Sequence, residues 1–201
     1  MINNKEKYIK QIRALFCIHC LACACIIAAW IPALTNLIAW VNIFISIGIG
    51  IVLFLLADSN KRYSKAAMFR VIVVVLSILS KFSDNNIFSL ATSVLLLCSL
   101  YHEYNGHSEM LVNINEKLSK RWKELFNIYL FGSVLVSVLS SAMVISLSPI
   151  FLQYGMVIVG IVIALAGGFD LVMMIIYLLY LKQTITASNI STKIDCFERT
   201  K

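Results

Sequence analysis

The sequence predicts an all-α fold: a polytopic transmembrane bundle of six helices with both termini on the cytoplasmic side. Three observations carry this expectation. Of the 201 residues, 60% are hydrophobic and 13% charged, with a mean hydropathy of +0.88. A soluble domain is about 25% charged, and so few charges cannot coat a water-facing surface. The apolar residues come in long runs without alternation, which favours spanning helices of about 20 residues over a barrel. Finally, the basic residues gather beside every second turn.

The elements follow in chain order. Residues 1–13, MINNKEKYIKQIR, are polar and basic. The first apolar run covers about 14–34, with Pro32 near its far end. It is long, holds His19 and several cysteines, and lacks a small-x-small cleavage site, so it reads as a retained helix and not as a cleaved signal. Thr35 and Asn36 make a minimal turn before the second run, 37–57. The polar turn DSNKRYSK precedes a short third helix, 66–82, with Arg70 near its start, and SKFSDNN breaks it. The fourth helix covers 86–107, the fifth 114–148 up to Pro149, and the sixth 154–181, followed by a polar tail over 182–201. Together they form a single integral membrane domain, 1–201, without a convincing internal repeat.

The orientation follows from the positive-inside rule. Lys5, Lys7, Lys10 and Arg13 precede helix 1, and Lys61, Arg62, Lys65 and Arg70 follow helix 2. Lys117, Lys120, Arg121 and Lys123 follow helix 4, and Lys182, Lys193, Arg199 and Lys201 follow helix 6. Six spans place sixteen of the seventeen basic residues inside, with only Lys81 outside. Five spans would split the clusters. The net charge of +7 is therefore topogenic. It forms no single basic stripe of the kind that binds nucleic acid.

Before helix 5 lies a cytoplasmic amphipathic segment. Leu111, Ile114, Leu118, Trp122 and Leu125 recur at spacings of three and four, with Glu116, Lys117, Lys120 and Lys123 around the other face. Asn113 and Glu116 read as an N-cap with its reaching acid. Trp122 is expected at the headgroup level.

Asp170 is the polar residue that stands out. It lies twelve positions before Lys182, roughly 18 Å along the helix and near mid-bilayer. An acid there costs at least ~2.5 kcal/mol on insertion scales and usually faces the bundle interior. Gly160, Ile163, Gly167, Met174 and Tyr177 share its face, and the two glycines would admit another helix. Helix 5 offers a hydroxyl stripe of Ser133, Ser137 and Ser140, extended by Ser141 and Ser148. Folding the hairpin about residue 151 sets Asp170 near the depth of Ser133, with Ser137 a turn further out. Asp170, Ser133 and Ser137 are thus the candidate intramembrane polar site. It is either a proton- or cation-responsive site or a protonated or serine-bonded acid that pins the hairpin's register.

Two motifs resemble metal sites and fall short. Cys17 and Cys20 form a C-x-x-C in CIHCLACAC, but Cys25 points away from Cys20, and His19 lies about 100° round the helix from it. A single helix cannot converge four tetrahedral ligands at these angles, so packing is the expected role. His102 and His107 are five apart, about 140° around the helix, whereas zinc proteases place two histidines four apart. Gly106 reads as a helix end, and this stretch as a solvated one. The stripes Asn42, Ser46, Gly50 and Ser89, Thr92, Ser93 mark helix contacts or line a cavity.

The stretch YHEYNGHSEMLVNINEKLSKRW is similar to a segment of small bacterial polytopic membrane proteins of unknown function. Those share an E-Y-x-x-H-S core and a capped L-S-x-x-W helix. The matching residues are Glu103, Tyr104, His107, Ser108, Leu118, Ser119 and Trp122, within about a tenth of the chain. The resemblance implies the same multi-helix layout in a bacterial plasma membrane, and no activity. Size and helix count also resemble those of the substrate-binding (S) components of vitamin transporters. Ala24 and Ala28 have the spacing of their Ala-x-x-x-Ala coupling motif, as any alanine-rich helix can.

The leading functional expectation is an integral membrane protein that binds or transports a small solute. The alternative is a non-transporting accessory or regulatory protein acting through a partner. Asp170 is the only acid deep in a span, with no paired acid or Ser–His or Cys–His pair at depth, so an enzyme is not expected. The sequence calls for no cofactor, metal or nucleic acid. Its partners are the lipid bilayer and, through small-residue faces, a second copy or a partner membrane subunit.

Overall fold

A computed structural model describes residues 2–82, 86–146 and 151–199. Among them are six α-helices and no strand: α1 (Ile2–Ala28), α2 (Thr35–Leu56), α3 (Lys61–Leu79), α4 (Asn86–Leu111), α5 (Glu116–Ser146) and α6 (Phe151–Arg199), with a short 3-10 turn at Pro32–Leu34. Each helix packs on its neighbours in the chain, and α1 closes the ring against α6. Among the described residues α1, α2, α5 and α6 contain stretches long and apolar enough to cross a membrane. α3 and α4 fall short because α3 carries Lys61, Arg62, Lys65 and Arg70, and the second half of α4 is polar.

Several boundaries differ from those the apolar runs suggest. Helix 1 starts at Ile2 and stops at Ala28, so Thr35 and Asn36 open α2 and the turn lies earlier. Polar residues at the start of α1 stay helical because Tyr8, Ile9, Ile12 and Leu15 are buried at helical spacing. α3 begins at Lys61, since the Asn60 side chain caps it by accepting from the Arg62 N–H at 2.8 Å. That moves Arg70 from the start of the helix to its middle.

α4 continues through Gly106 to Leu111, and the turn before α5 is capped by Asn115, not Asn113. Its side chain accepts from the Leu118 N–H at 3.0 Å. Gly106 is no helix end. A Cβ there would lie 2.8 Å from the Tyr63 ring, so the glycine is where α3 and α4 touch. The expected polar tail continues α6 as helix to Arg199, because Leu181, Thr184 and Ser188 are buried. The expected apolar face before helix 5 is present: Leu111, Leu118, Trp122 and Leu125 are all buried. Trp122, however, is enclosed inside the bundle and presents no surface to headgroups; it donates from Nε1 to the Thr184 hydroxyl at 3.1 Å. The turn around Pro149 and Ser148 lies outside the described residues.

Contacts at one end of the bundle set the direction of each helix. Lys7 at the start of α1 pairs with Asp58 in the α2–α3 turn at 2.6 Å. Asn60 and Arg62 at the start of α3 both donate to Glu109 near the end of α4, at 2.9 and 3.0 Å. Ser108 of α4 meets Ser119 of α5 at 3.0 Å. The six helices therefore alternate in direction, and the basic turns share one end. The tightly packed core of Ile12, Leu15, Leu53, Leu56, Tyr63, Leu111, Trp122 and Leu181 lies toward this basic end. Toward the other end large apolar side chains such as Phe44, Leu90, Phe131 and Val157 are exposed, as lipid-facing surfaces are.

Candidate functional site

Above the packed basic end, where the helices part, a cavity of about 250 Å³ is lined by side chains from all six helices. α1 brings His19, α2 Asn42 and Ser46, α3 Arg70, α4 Tyr104, α5 Tyr129, and α6 Asp170 and Tyr177. Apolar residues such as Ala22, Leu96 and Met173 complete the walls. Helical spacing explains these placements. Asn42 and Ser46 are one turn apart on α2, and Asp170 and Tyr177 are seven apart on α6, so each pair shares a face. The next residue on the α2 stripe, Gly50, would set a Cβ 3.5 Å from the Arg70 stem, so α2 lies close against that arginine.

Beneath the cavity is a buried polar network. Arg70 Nη2 lies 3.6 Å from Glu103 Oε2, and Tyr177 donates its hydroxyl to the other oxygen of the same carboxylate. Glu103 is fully buried and Arg70 is 5% exposed. A buried pair of this kind is tolerable only with further hydrogen bonds on its free atoms. Glu103 obtains one from Tyr177, whereas Arg70 Nε has no partner. His19, also buried, donates from Nδ1 to the Leu15 carbonyl at 2.9 Å, and its ring packs 4.5 Å from that of Tyr177.

A second cluster continues toward the basic end. Tyr63 and His107 share a hydrogen bond of 2.8 Å, and the Tyr8 hydroxyl is 3.5 Å from that of Tyr63. The His107 ring lies 4.6 Å from Trp122, and Tyr104 meets Trp122 edge-on at 5.5 Å. Glu103, Tyr104, His107, Ser108, Leu118, Ser119 and Trp122, the residues of the E-Y-x-x-H-S and L-S-x-x-W segments, are all buried. Ser108 with Ser119, and Tyr104 and His107 with Trp122, clasp α4 to α5. The stretch around His107 is therefore no solvated helix end: Glu103, His107 and Ser108 have no exposure at all.

No protein-family model, curated protein or solved structure matches the chain.

Among the candidate residues, Asp170 lines the cavity, while Ser133 and Ser137 are not among its walls. Ser137 donates to the Ser133 carbonyl at 2.8 Å, and Ser141 to the Ser137 carbonyl at 2.9 Å, so these hydroxyls bond along their own helix. The helix 5 residue that reaches the cavity is Tyr129, one turn before Ser133. Next to Ser133, Phe169 of α6 packs over Gly132, where a Cβ would run into its ring. Of the two glycines on the Asp170 face, Gly167 receives the ring of Trp30 and Gly160 has no neighbour within 4 Å. The small polar stripe of Asn42 and Ser46 lines the cavity.

Of the cysteines in CIHCLACAC, Cys17 and Cys20 are exposed and Cys25 is buried, so they do not converge. His102 stacks on Phe69 at 5.7 Å, on a different side of α4 from His107. Among the described residues no group of three or more His, Cys, Asp or Glu could hold a metal.

Sequence reasoning missed Glu103, His19 and the depth of Arg70. One signal was present: Ser99, Glu103, His107 and Leu111 recur every four residues, a stripe that is buried along its length. A larger hollow of about 760 Å³ lies on the outer side of α2 and α3, walled by Ile47, Ile51, Phe54, Met68 and Val75. Acyl chains suit such walls. The converging polar groups make the smaller cavity the candidate site.

Proposed function

We propose that the chain is a six-span protein of the plasma membrane, with both termini cytoplasmic, that binds or transports a small solute in the cavity without altering it chemically. One observation carries this reading: side chains of all six helices, charged and aromatic ones among them, face a common hollow beyond the packed basic end. Polar groups inside a bilayer are costly and usually mark a ligand path or a paired network. Here a network (Arg70, Glu103, Tyr177) sits beside a hollow with Asp170 in its wall. The six-span arrangement rests on the alternating helix directions and on the basic residues sharing one end. Small-molecule sites between the helices of bundles follow the same principle.

The test is native mass spectrometry of the protein gently purified from its own host. A bound small molecule, absent from Asp170→Asn and Asn42→Leu preparations, supports the reading. A chain carrying only lipid overturns it in favour of the second reading, an accessory or regulatory protein acting through a partner. The continuation of α6 past the basic end favours that alternative. Lys182, Gln183, Thr186 and Ile190 are exposed on this extension, where a partner chain could engage it.

A further inference from the structure

We propose that the cavity takes a small organic cation, an ammonium group seated at Asp170 in the wall that it shares with Tyr129. This rests on the solute-binding reading above and names the ligand class. The charge inventory of the walls carries it. Two charged side chains line the cavity, Arg70 and Asp170. The charge on Arg70 is already met by Glu103, which Tyr177 holds from its other oxygen. His19 directs Nδ1 to the Leu15 carbonyl. Asp170 is thus left in the wall with no ion pair among the described residues, at a depth where an uncompensated carboxylate is disfavoured. A cationic solute restores neutrality.

The walls choose which cation. The half-buried ring of Tyr129 attracts an ammonium group through its quadrupole, most strongly when both are desolvated, whereas the Tyr177 ring is already covered by His19 and Tyr104. The sulfurs of Met173 and Met174 add polarisable apolar surface. Hard metal ions demand several converging oxygens, and no acidic or histidine cluster that would supply them exists among the described residues. At about 250 Å³ the cavity falls below the span of about 300–1,000 Å³ typical of drug-sized ligands. The cation is therefore small: a primary or quaternary amine carrying a short apolar part.

The experiment follows thermal unfolding of the full chain in nanodiscs with butylammonium, tetramethylammonium or sodium butyrate, chloride and ionic strength being held constant. The expected result is a saturable rise of the midpoint with at least one ammonium probe and none with butyrate. The rise should vanish in Asp170→Asn and survive in Asp170→Glu, which keeps the charge. The unliganded midpoint of each variant reports whether it folds, and Asn42→Leu, which narrows the same cavity, should also lose the response. Stabilisation by butyrate alone, no response to either ammonium, or an undiminished response in Asp170→Asn overturns the proposal. If native mass spectrometry finds a neutral or anionic solute, the cation falls while the cavity reading stands. If it finds none and no probe acts, both fall.

Discussion

Glu103 of α4 and Arg70 of α3 form an ion pair, 3.6 Å between Oε2 and Nη2, whose side chains are 0% and 6% exposed. The pair joins neighbouring helices and, through Tyr177, ties α6 to them. Three of the six helices thus meet at one carboxylate. Removing one partner leaves a buried charge uncompensated and typically costs about 3–5 kcal/mol. Glu103→Gln and Arg70→Met should each lower the unfolding midpoint strongly. The double variant, in which the new side-chain amide on α4 would still accept from Tyr177, should recover much of the loss. A double variant whose loss equals the sum of the single ones shows that the two residues do not act as a pair.

Gly106 is the contact point of α3 and α4. A Cβ would stand 2.8–3.1 Å from three atoms of the Tyr63 ring, and Tyr63 cannot swing away because it is fully buried and bonded to His107. Gly106→Ala gains about 1 kcal/mol of helix propensity but overpacks a filled site, typically at about 1–3 kcal/mol. The net expectation is destabilisation. Gly168, inside α6 with nothing within 4 Å, provides the contrast, and Gly168→Ala, which gains the same propensity without a clash, should raise the midpoint. Thermal midpoints of the two variants decide it.

Glu109 gives a pH dependence at the basic end. Burial is the largest single influence and pushes its carboxyl up, but hydrogen bonds from Asn60 and Arg62 and the charges of Arg62 and Lys123 together outweigh this and hold it below its ordinary value. A carboxyl lowered on folding stabilises at pH values above the unfolded pKa, and that contribution is lost as the pH falls through the folded value. The partners are partly exposed, 35% for Arg62 and 40% for Glu109, so the effect is small, below about 1 kcal/mol. The midpoint gap between the parent and Glu109→Gln should be present at neutral pH. It should close as the pH drops below the carboxylate range. A gap that persists in acid assigns the effect to packing.

Orientation is open to direct measurement. In a background lacking native cysteines, Ser59→Cys and Asn113→Cys lie in turns at the basic end, and Ile31→Cys and Phe82→Cys in turns at the other. In intact cells an impermeant thiol reagent should label the second pair alone. Labelling of the first pair, or of one member of each, rules out six spans with the termini inside.

The helical class and the alternation of basic turns were legible in the amino-acid order, because both are local. A helix reports its length through an apolar run and its buried face through spacing, as Leu111, Leu118, Trp122 and Leu125 do. Local patterns mislead where burial and composition part company. Gly106 and the residues after Lys182 look like ends, yet long-range packing on Tyr63 and Trp122 keeps them helical. Which polar side chains meet depends on how the helices pack in three dimensions. Asp170 was legible as an isolated acid, but its cavity neighbours come from five other helices. The Glu103–Tyr177 bond spans 74 residues, and no periodicity within one helix encodes which partner stands opposite it. That choice depends on how the ring of helices closes, with α1 against α6, and on where small residues such as Gly50 and Gly106 let neighbours approach.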